Sequence, residues 1–299
     1  MLRGIIVPLI TPLRDRDALD FAGLERVIER VLAGGVHGLF ILGTTGEGPS
    51  LSYRLRRELI HRACRQVANR VPVLVGITDT SFVESVALAR CAADSGAGAL
   101  VTSAPYYFPP GQPELVEFIE RLAPELPLPL FLYNMPSLTK TRFEAATVER
   151  MLNIDKIAGI KDSSGDVAYF TKIVEIAKAR PDWAVFMGPE HLLAESIRLG
   201  GHGGVNGGAL VAPRLLVETY EAAMAGQWAR VADLEQRLRQ LGAIYEIGHH
   251  ASAVIKGLKC ALALLGVCND AMAEPFSPFQ EPERARVRTV LESIGLINP

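Results

Sequence analysis

Short apolar runs alternate with stretches of helical periodicity along most of the chain. The runs cover residues 5–11, 38–42, 72–77, 99–103, 129–134, 157–161, 184–188 and 203–206. None shows strict alternation, and Gly or Pro flanks them, which is how strands buried on both faces read. Helical spacing follows each run, over residues 21–33, 53–68, 81–95, 113–123, 143–152, 167–179, 191–199 and 213–225, with Ser52 placed to cap the second helix. Eight strand–helix pairs in this order predict a closed (β/α)8 TIM barrel over residues 1–225. A doubly wound open sheet is the alternative, but no GxGxxG follows the first run. From Gly226 the pattern is helical only, over residues 228–241, 252–265 and 282–294, so residues 226–299 are expected to form a C-terminal three-helix extension.

The 299 residues and 49% hydrophobic content supply a large core. A net charge of −2 offers no electrostatic footprint for nucleic acid or an anionic membrane. No segment approaches the ~18–20 apolar residues of a membrane span, and the N-terminus lacks the apolar core of a signal peptide. A cytoplasmic protein is expected. The four cysteines, Cys64, Cys91, Cys260 and Cys268, form no CxxC pair and read as reduced thiols.

Barrel enzymes carry their chemistry at the C-terminal ends of the strands. Lys161 alone among the lysines closes an apolar run of the expected barrel; Lys156 precedes the same run, at the opposite rim. A lysine near its reference pKa of ~10.4 is protonated and not nucleophilic, but desolvation inside a barrel favours the free amine, a competent carbonyl nucleophile. Pairing with Asp162 or another carboxylate as a structural ion pair is an equal alternative. Tyr133 closes the neighbouring run and is a candidate proton carrier, with Thr44 and Tyr107 as hydroxyl neighbours; the commoner fate of a lone tyrosine is packing, with its hydroxyl on backbone. Residues 43–48, Gly-Thr-Thr-Gly-Glu-Gly, read either as a tight turn or as backbone N–H groups presented to a carboxylate. The six histidines form no HxH or HExxH arrangement, so no metal and no other cofactor is expected. The glycine-rich stretch 203–208 keeps a phosphate-binding barrel as a rival.

Together, Gly43-Thr44-Thr45-Gly46-Glu47, Tyr106-Tyr107, Tyr133-Asn134-x-Pro136, Gly159-Ile160-Lys161-Asp162 and Gly200-Gly201-His202-Gly203 resemble the dihydrodipicolinate synthase and N-acetylneuraminate lyase superfamily. The resemblance implies a class I, metal-free mechanism in which Lys161 condenses with pyruvate or the keto group of a 2-oxo acid. It assigns proton transfer to Tyr133, and a relay to Thr44 and Tyr107, with Tyr107 reaching in from a neighbouring subunit. Thr45 would hold the pyruvate carboxylate and Val205 would place its carbonyl near the relay. Gly188 and Asn206 are further expected substrate contacts. A homotetramer built as a dimer of dimers is implied.

One position departs from the synthases. After Tyr133-Asn134-x-Pro136-Ser137 they carry an arginine that grips the carboxylate of aspartate semialdehyde; here it is Leu138, followed by Thr139-Lys140-Thr141-Arg142. Leucine cannot make the bidentate, charge-assisted contact. A leucine there resembles some 2-keto-3-deoxy sugar-acid aldolases, whereas the paired threonines and tyrosines resemble the synthase. The expectation is therefore a lyase cleaving a 2-keto-3-deoxy acid to pyruvate and an aldehyde. The alternatives are a 4-hydroxy-tetrahydrodipicolinate synthase and a non-catalytic relative that binds a 2-oxo acid. Lys140 and Arg142 are candidates to replace the missing arginine.

Overall fold

The structure is a computed structural model describing residues 1–298. Eight parallel strands form its centre: β1 (Gly4–Pro8), β2 (Gly38–Ile41), β3 (Val73–Gly76), β4 (Ala99–Ser103), β5 (Leu130–Asn134), β6 (Ile157–Asp162), β7 (Ala184–Met187) and β8 (Gly203–Val205). They close in the order β1-β8-β7-β6-β5-β4-β3-β2, so the expected TIM barrel is present. Every residue of β1 to β5 is buried, which is why these runs show no alternation in sequence. Alternate side chains still point to different places. Ile6, Phe40, Val101, Phe131 and Phe186 fill the barrel interior, while their neighbours pack outward against the helices.

The surrounding helices are α1 (Phe21–Ala33), α2 (Tyr53–Val67), α3 (Phe82–Asp94), α4 (Gln112–Leu122), α5 (Ala145–Met151), α6 (Val167–Ala177), α7 (Leu193–Arg198) and α8 (Pro213–Met224). Ser52 caps α2 as expected, accepting from the Leu55 N–H at 3.1 Å. Three helices follow: α9 (Trp228–Gly242), α10 (Ala253–Leu264) and α11 (Glu281–Ser293). Their Leu234, Leu238, Leu258, Leu262 and Leu291 join the apolar cluster that holds Leu24, Val31 and Leu210 of the barrel layer. Among the described residues no helix is long and apolar enough to cross a membrane, and Cys64, Cys91, Cys260 and Cys268 are free.

The first strand stops at Pro8, short of the expected residue 11. Beyond it the Leu9 N–H donates to the Phe40 carbonyl (2.8 Å) and the Thr11 hydroxyl to the Gly46 carbonyl (2.7 Å), which turns the chain beneath the end of β2. A small hairpin of Leu13–Asp15 and Ala18–Leu19 follows, too short to register as a pattern. The helix expected from residue 143 begins at Ala145, because the Phe143 N–H donates to Asn134 Oδ1 at 3.0 Å. The helix expected over 191–199 divides into a 3-10 turn, Glu190–Leu192, and α7.

Candidate active site

Parallel pairing sets Tyr133 of β5 directly beside Lys161 of β6. Both point into the barrel, and the Lys161 Nζ stands 4.1 Å from the centre of the Tyr133 ring and 5.4 Å from that of Phe40. Lys161 is 7% exposed, and among the described residues no carboxylate lies within ion-pair distance of it. Asp162, one residue on, faces the opposite side of the strand. Its carboxylate accepts from Asn134 Nδ2 (2.8 Å), the Ser164 N–H (3.1 Å) and the Ser164 hydroxyl (3.0 Å). The ion-pair reading of Lys161 therefore fails by strand geometry. Asp162 instead ties the ends of β5 and β6 together, and burial pushes its carboxyl above the ordinary range despite those hydrogen bonds.

The Thr44 hydroxyl lies 3.3 Å from the Tyr133 hydroxyl. Burial alone would push the Tyr133 phenol up. The Lys161 charge and hydrogen bonds with Thr44, Ser163 and Lys161 outweigh that penalty, so the phenol lies below its ordinary value. Thr44 and Thr45 sit on the turn after β2, where Leu42 (φ 59°) and Glu47 (φ 54°) both adopt the left-handed conformation that non-glycine residues avoid. The turn closes through the Glu47 N–H on the Thr44 carbonyl (3.0 Å) and the Gly48 N–H on the Gly43 carbonyl (3.2 Å). Among the described residues, neither the Thr44 nor the Thr45 N–H donates to a backbone carbonyl.

These residues open onto a cavity of about 580 Å³. Thr44, Thr45, Tyr133, Lys161, Ser163, Gly188 and Val205, on or just past the strand ends, line it together with Glu190, Tyr245, Arg239 and Glu246. Ser163 is not among the residues expected from the sequence, although the signal was there: it lies two residues past Lys161 and so shares its face. Tyr245, Arg239 and Glu246 come from α9 and the 3-10 turn after it, and no strand-end rule points to them. Glu190 is buried; its Oε2 accepts from the Gly208 N–H (2.7 Å), and the Tyr245 hydroxyl stands beside the carboxyl. Burial pushes Glu190 above the ordinary carboxylate range, and Tyr245 well above that of a phenol. Glu190 thus occupies an amide of the glycine-rich 203–208 stretch, which removes that amide from the phosphate-binding reading.

Other candidates lie elsewhere. Asn206 is fully buried and does not line the cavity; its Nδ2 donates to the Gly188 (2.8 Å) and Met187 (3.4 Å) carbonyls, so it braces Gly188 rather than touching a ligand. Tyr107 is 73% exposed and packs edge-on against Phe108, with ring centres 5.0 Å apart, outside the cavity of its own chain. Leu138 sits on a single helical turn, Pro136–Thr139, and borders a smaller cavity of about 160 Å³ with Phe40, Thr44, Tyr106 and Tyr133. Arg142 pairs with Asp166 (3.2 Å) and covers the Tyr169 ring (5.0 Å), while Lys140 is exposed and lines neither cavity. Neither lines the cavity that Leu138 borders.

An amine so placed adds to a carbonyl, and the phenol beside it exchanges protons with the oxygen that must leave. That is the work of a class I, metal-independent lyase. A family model described as the Dihydrodipicolinate synthetase family matches residues 1–294, and the chain belongs to that family of Schiff-base-forming, pyruvate-dependent enzymes. The chain is 33% identical to a 4-hydroxy-tetrahydrodipicolinate synthase of Azoarcus sp. (strain BH72), over 99% of each chain. Its fold matches a dihydrodipicolinate synthase of Bacteroides thetaiotaomicron with a TM-score of 0.94 and 52% identity, covering 98% of each chain. It also matches YagE of E. coli K12, a prophage protein of the dihydrodipicolinic acid synthase family in complex with pyruvate, with a TM-score of 0.94 and 30% identity over 99% of this chain and 100% of that one.

Proposed function

We propose that this enzyme cleaves a 2-keto-3-deoxy acid to pyruvate and an aldehyde. Lys161 adds to the keto carbon, and Tyr133 delivers the proton that lets water leave, forming the iminium. Tyr133 then takes the proton of the C4 hydroxyl as the C3–C4 bond breaks, its electrons pass into an enamine, and the aldehyde departs. Protonation of the enamine and hydrolysis return pyruvate and the amine. The Thr44 and Thr45 N–H groups and the Thr45 hydroxyl hold the carboxylate, with Gly188 and the Val205 carbonyl opposite. Tyr107 and Phe108, both exposed, fit a homotetramer in which Tyr107 completes the relay of a neighbour. Free thiols fit a cytoplasmic setting.

The observation that carries the choice of substrate is Leu138 at the cavity beside Tyr133, with Lys140 and Arg142 turned elsewhere. A neutral polyhydroxylated aldehyde needs no cation there. A second reading, 4-hydroxy-tetrahydrodipicolinate synthase, is favoured by the names of the relatives above and by Arg239, a guanidinium that lines the larger cavity. Specificity constants for both reactions on one preparation decide between them. The aldolase reading expects 2-keto-3-deoxy acid cleavage to exceed condensation with aspartate semialdehyde; the reverse order, lost in Arg239→Ala, establishes the synthase. A non-catalytic 2-oxo-acid binder would turn over neither.

A further inference from the structure

Behind the turn that carries Thr44 and Thr45 lies an ion pair with no exposure to solvent. Lys259 of α10 is 0% exposed, and its Nζ meets Glu47 Oε1. The other carboxylate oxygen accepts from the Ala273 N–H at 2.8 Å, and the lysine also donates to the Ala271 carbonyl at 2.6 Å. Two segments of the C-terminal region, α10 and the stretch around 271–273, therefore converge on one side chain of the catalytic turn. Burying two charges costs several kcal/mol per ion, and a well-packed apolar pair often gives equal or greater stability. Stability alone is a weak reason for such a pair; the fixing of a position is the better-attested one.

The backbone shows which position is fixed. Glu47 holds φ at 54°, and Leu42, at the other end of the turn, holds 59°. Left-handed conformations of this kind persist where surroundings over-determine them. The Thr11 hydroxyl secures Gly46 from below (2.7 Å), and glycine is required at position 48, where a Cβ would stand 2.3 Å from the Leu42 carbonyl oxygen. Among the described residues, only the Glu47 side chain connects the turn to the extension by charge. We propose that Glu47 and Lys259 are positioning residues: the C-terminal extension, through this pair, sets the Thr44–Thr45 N–H groups at the pyruvate carboxylate and the Thr44 hydroxyl at Tyr133. The extension is then part of the active site without touching the substrate. The proposal rests on the pyruvate reading of that turn.

The test uses the full-length enzyme and pyruvate. Lys259→Met alone strands a buried carboxylate and is expected to unfold easily. Lys259→Met with Glu47→Gln removes both charges and is expected to recover most of the thermal midpoint. A purely structural pair predicts that pyruvate affinity recovers with it. A positioning pair predicts that it does not: half-saturation for Schiff-base trapping by borohydride rises roughly tenfold to a hundredfold, the scale set by misplacement on the order of an ångström. The adduct remains on Lys161, and the KM for the second substrate is little changed. Glu47→Asp, which keeps the charge but shortens the reach, should fold even if the double variant does not, and should show an intermediate rise. Wild-type pyruvate affinity in Glu47→Asp, or in a folded double variant, overturns the proposal. Failure of the wild-type enzyme to trap pyruvate would instead overturn the reading of the turn itself.

Discussion

Two sets of residues line the candidate active-site cavity, and they are built by different means. In the first, Thr44, Tyr133, Lys161 and Ser163 stand on or just beyond β2, β5 and β6, and barrel register sets their spacing. In the second, Glu190 comes from a 3-10 turn, and Tyr245, Arg239 and Glu246 from α9 and the turn after it. The first set stands on a lattice in which one hydrogen-bonded pairing places Tyr133 against Lys161. The second is assembled from a connecting turn and the C-terminal helices, outside the strand ladder. Under the proposed function, carbonyl chemistry falls to the first set and contacts with the rest of the substrate to the second.

The sharpest way to break this division is at the lattice. Lys161→Ala should abolish turnover with both candidate substrates while far-UV circular dichroism and the thermal midpoint stay close to wild type, because the strand around it remains apolar. Residual turnover by the variant would mean that another amine does the work. Tyr133→Phe keeps the ring against Phe40 (6.4 Å between centres) and deletes the phenol, so kcat should fall by about 10²–10⁴-fold. Near-normal kcat in this variant would remove Tyr133 from the relay.

Position 138 belongs to neither set and borders the smaller cavity beside Thr44 and Tyr133; a change there should alter substrate preference and leave the carbonyl chemistry alone. Leu138→Arg restores a cation beside the smaller cavity. A charge-assisted hydrogen bond contributes about 1.5–3 kcal/mol, so kcat/KM for aspartate semialdehyde should rise on the order of tenfold or more, with pyruvate trapping unchanged. No gain would show that position 138 does not face the second substrate.

The smallest effect belongs to the opposite rim of the barrel, where no chemistry is expected. His37 accepts from the Ile5 N–H (3.1 Å) and His202 from the Val185 N–H (3.0 Å). Burial holds both below the ordinary histidine value; the Glu221 charge opposes this at His37, while Arg3 reinforces it at His202. The unfolded chain takes up these protons near pH ~6.5 and the folded chain only at lower pH. Their contribution is therefore complete above ~6.5 and is lost as pH falls through the folded values. The thermal midpoint should decline modestly on acidification over that window, less so in His37→Gln or His202→Gln. A slope equal to wild type in both variants would place the acid sensitivity elsewhere.

What sequence made legible follows the same division. The barrel emerged because doubly buried strands lack alternation, and Lys161 and Tyr133 because polar side chains ending apolar runs are conspicuous. Asn206 misled because it was judged by its place at a strand end and not by alternation: it directly follows Val205, which faces the interior, so its side chain turns away and bonds to the Gly188 carbonyl. The competing partner for Lys161 disappeared only when alternation along β6 sent Asp162 outward. Arg239 and Tyr245 gave no signal because they reach the cavity through packing of the extension, as does Lys259 beneath the catalytic turn. Long-range placement of that kind has no local pattern.

The most direct test of the account is incubation of the wild-type enzyme with pyruvate and borohydride, followed by peptide mapping. The account predicts one reduced pyruvyl group on Lys161 and none in Lys161→Ala. An adduct on another lysine, or none in an enzyme that is otherwise turning over, would contradict it.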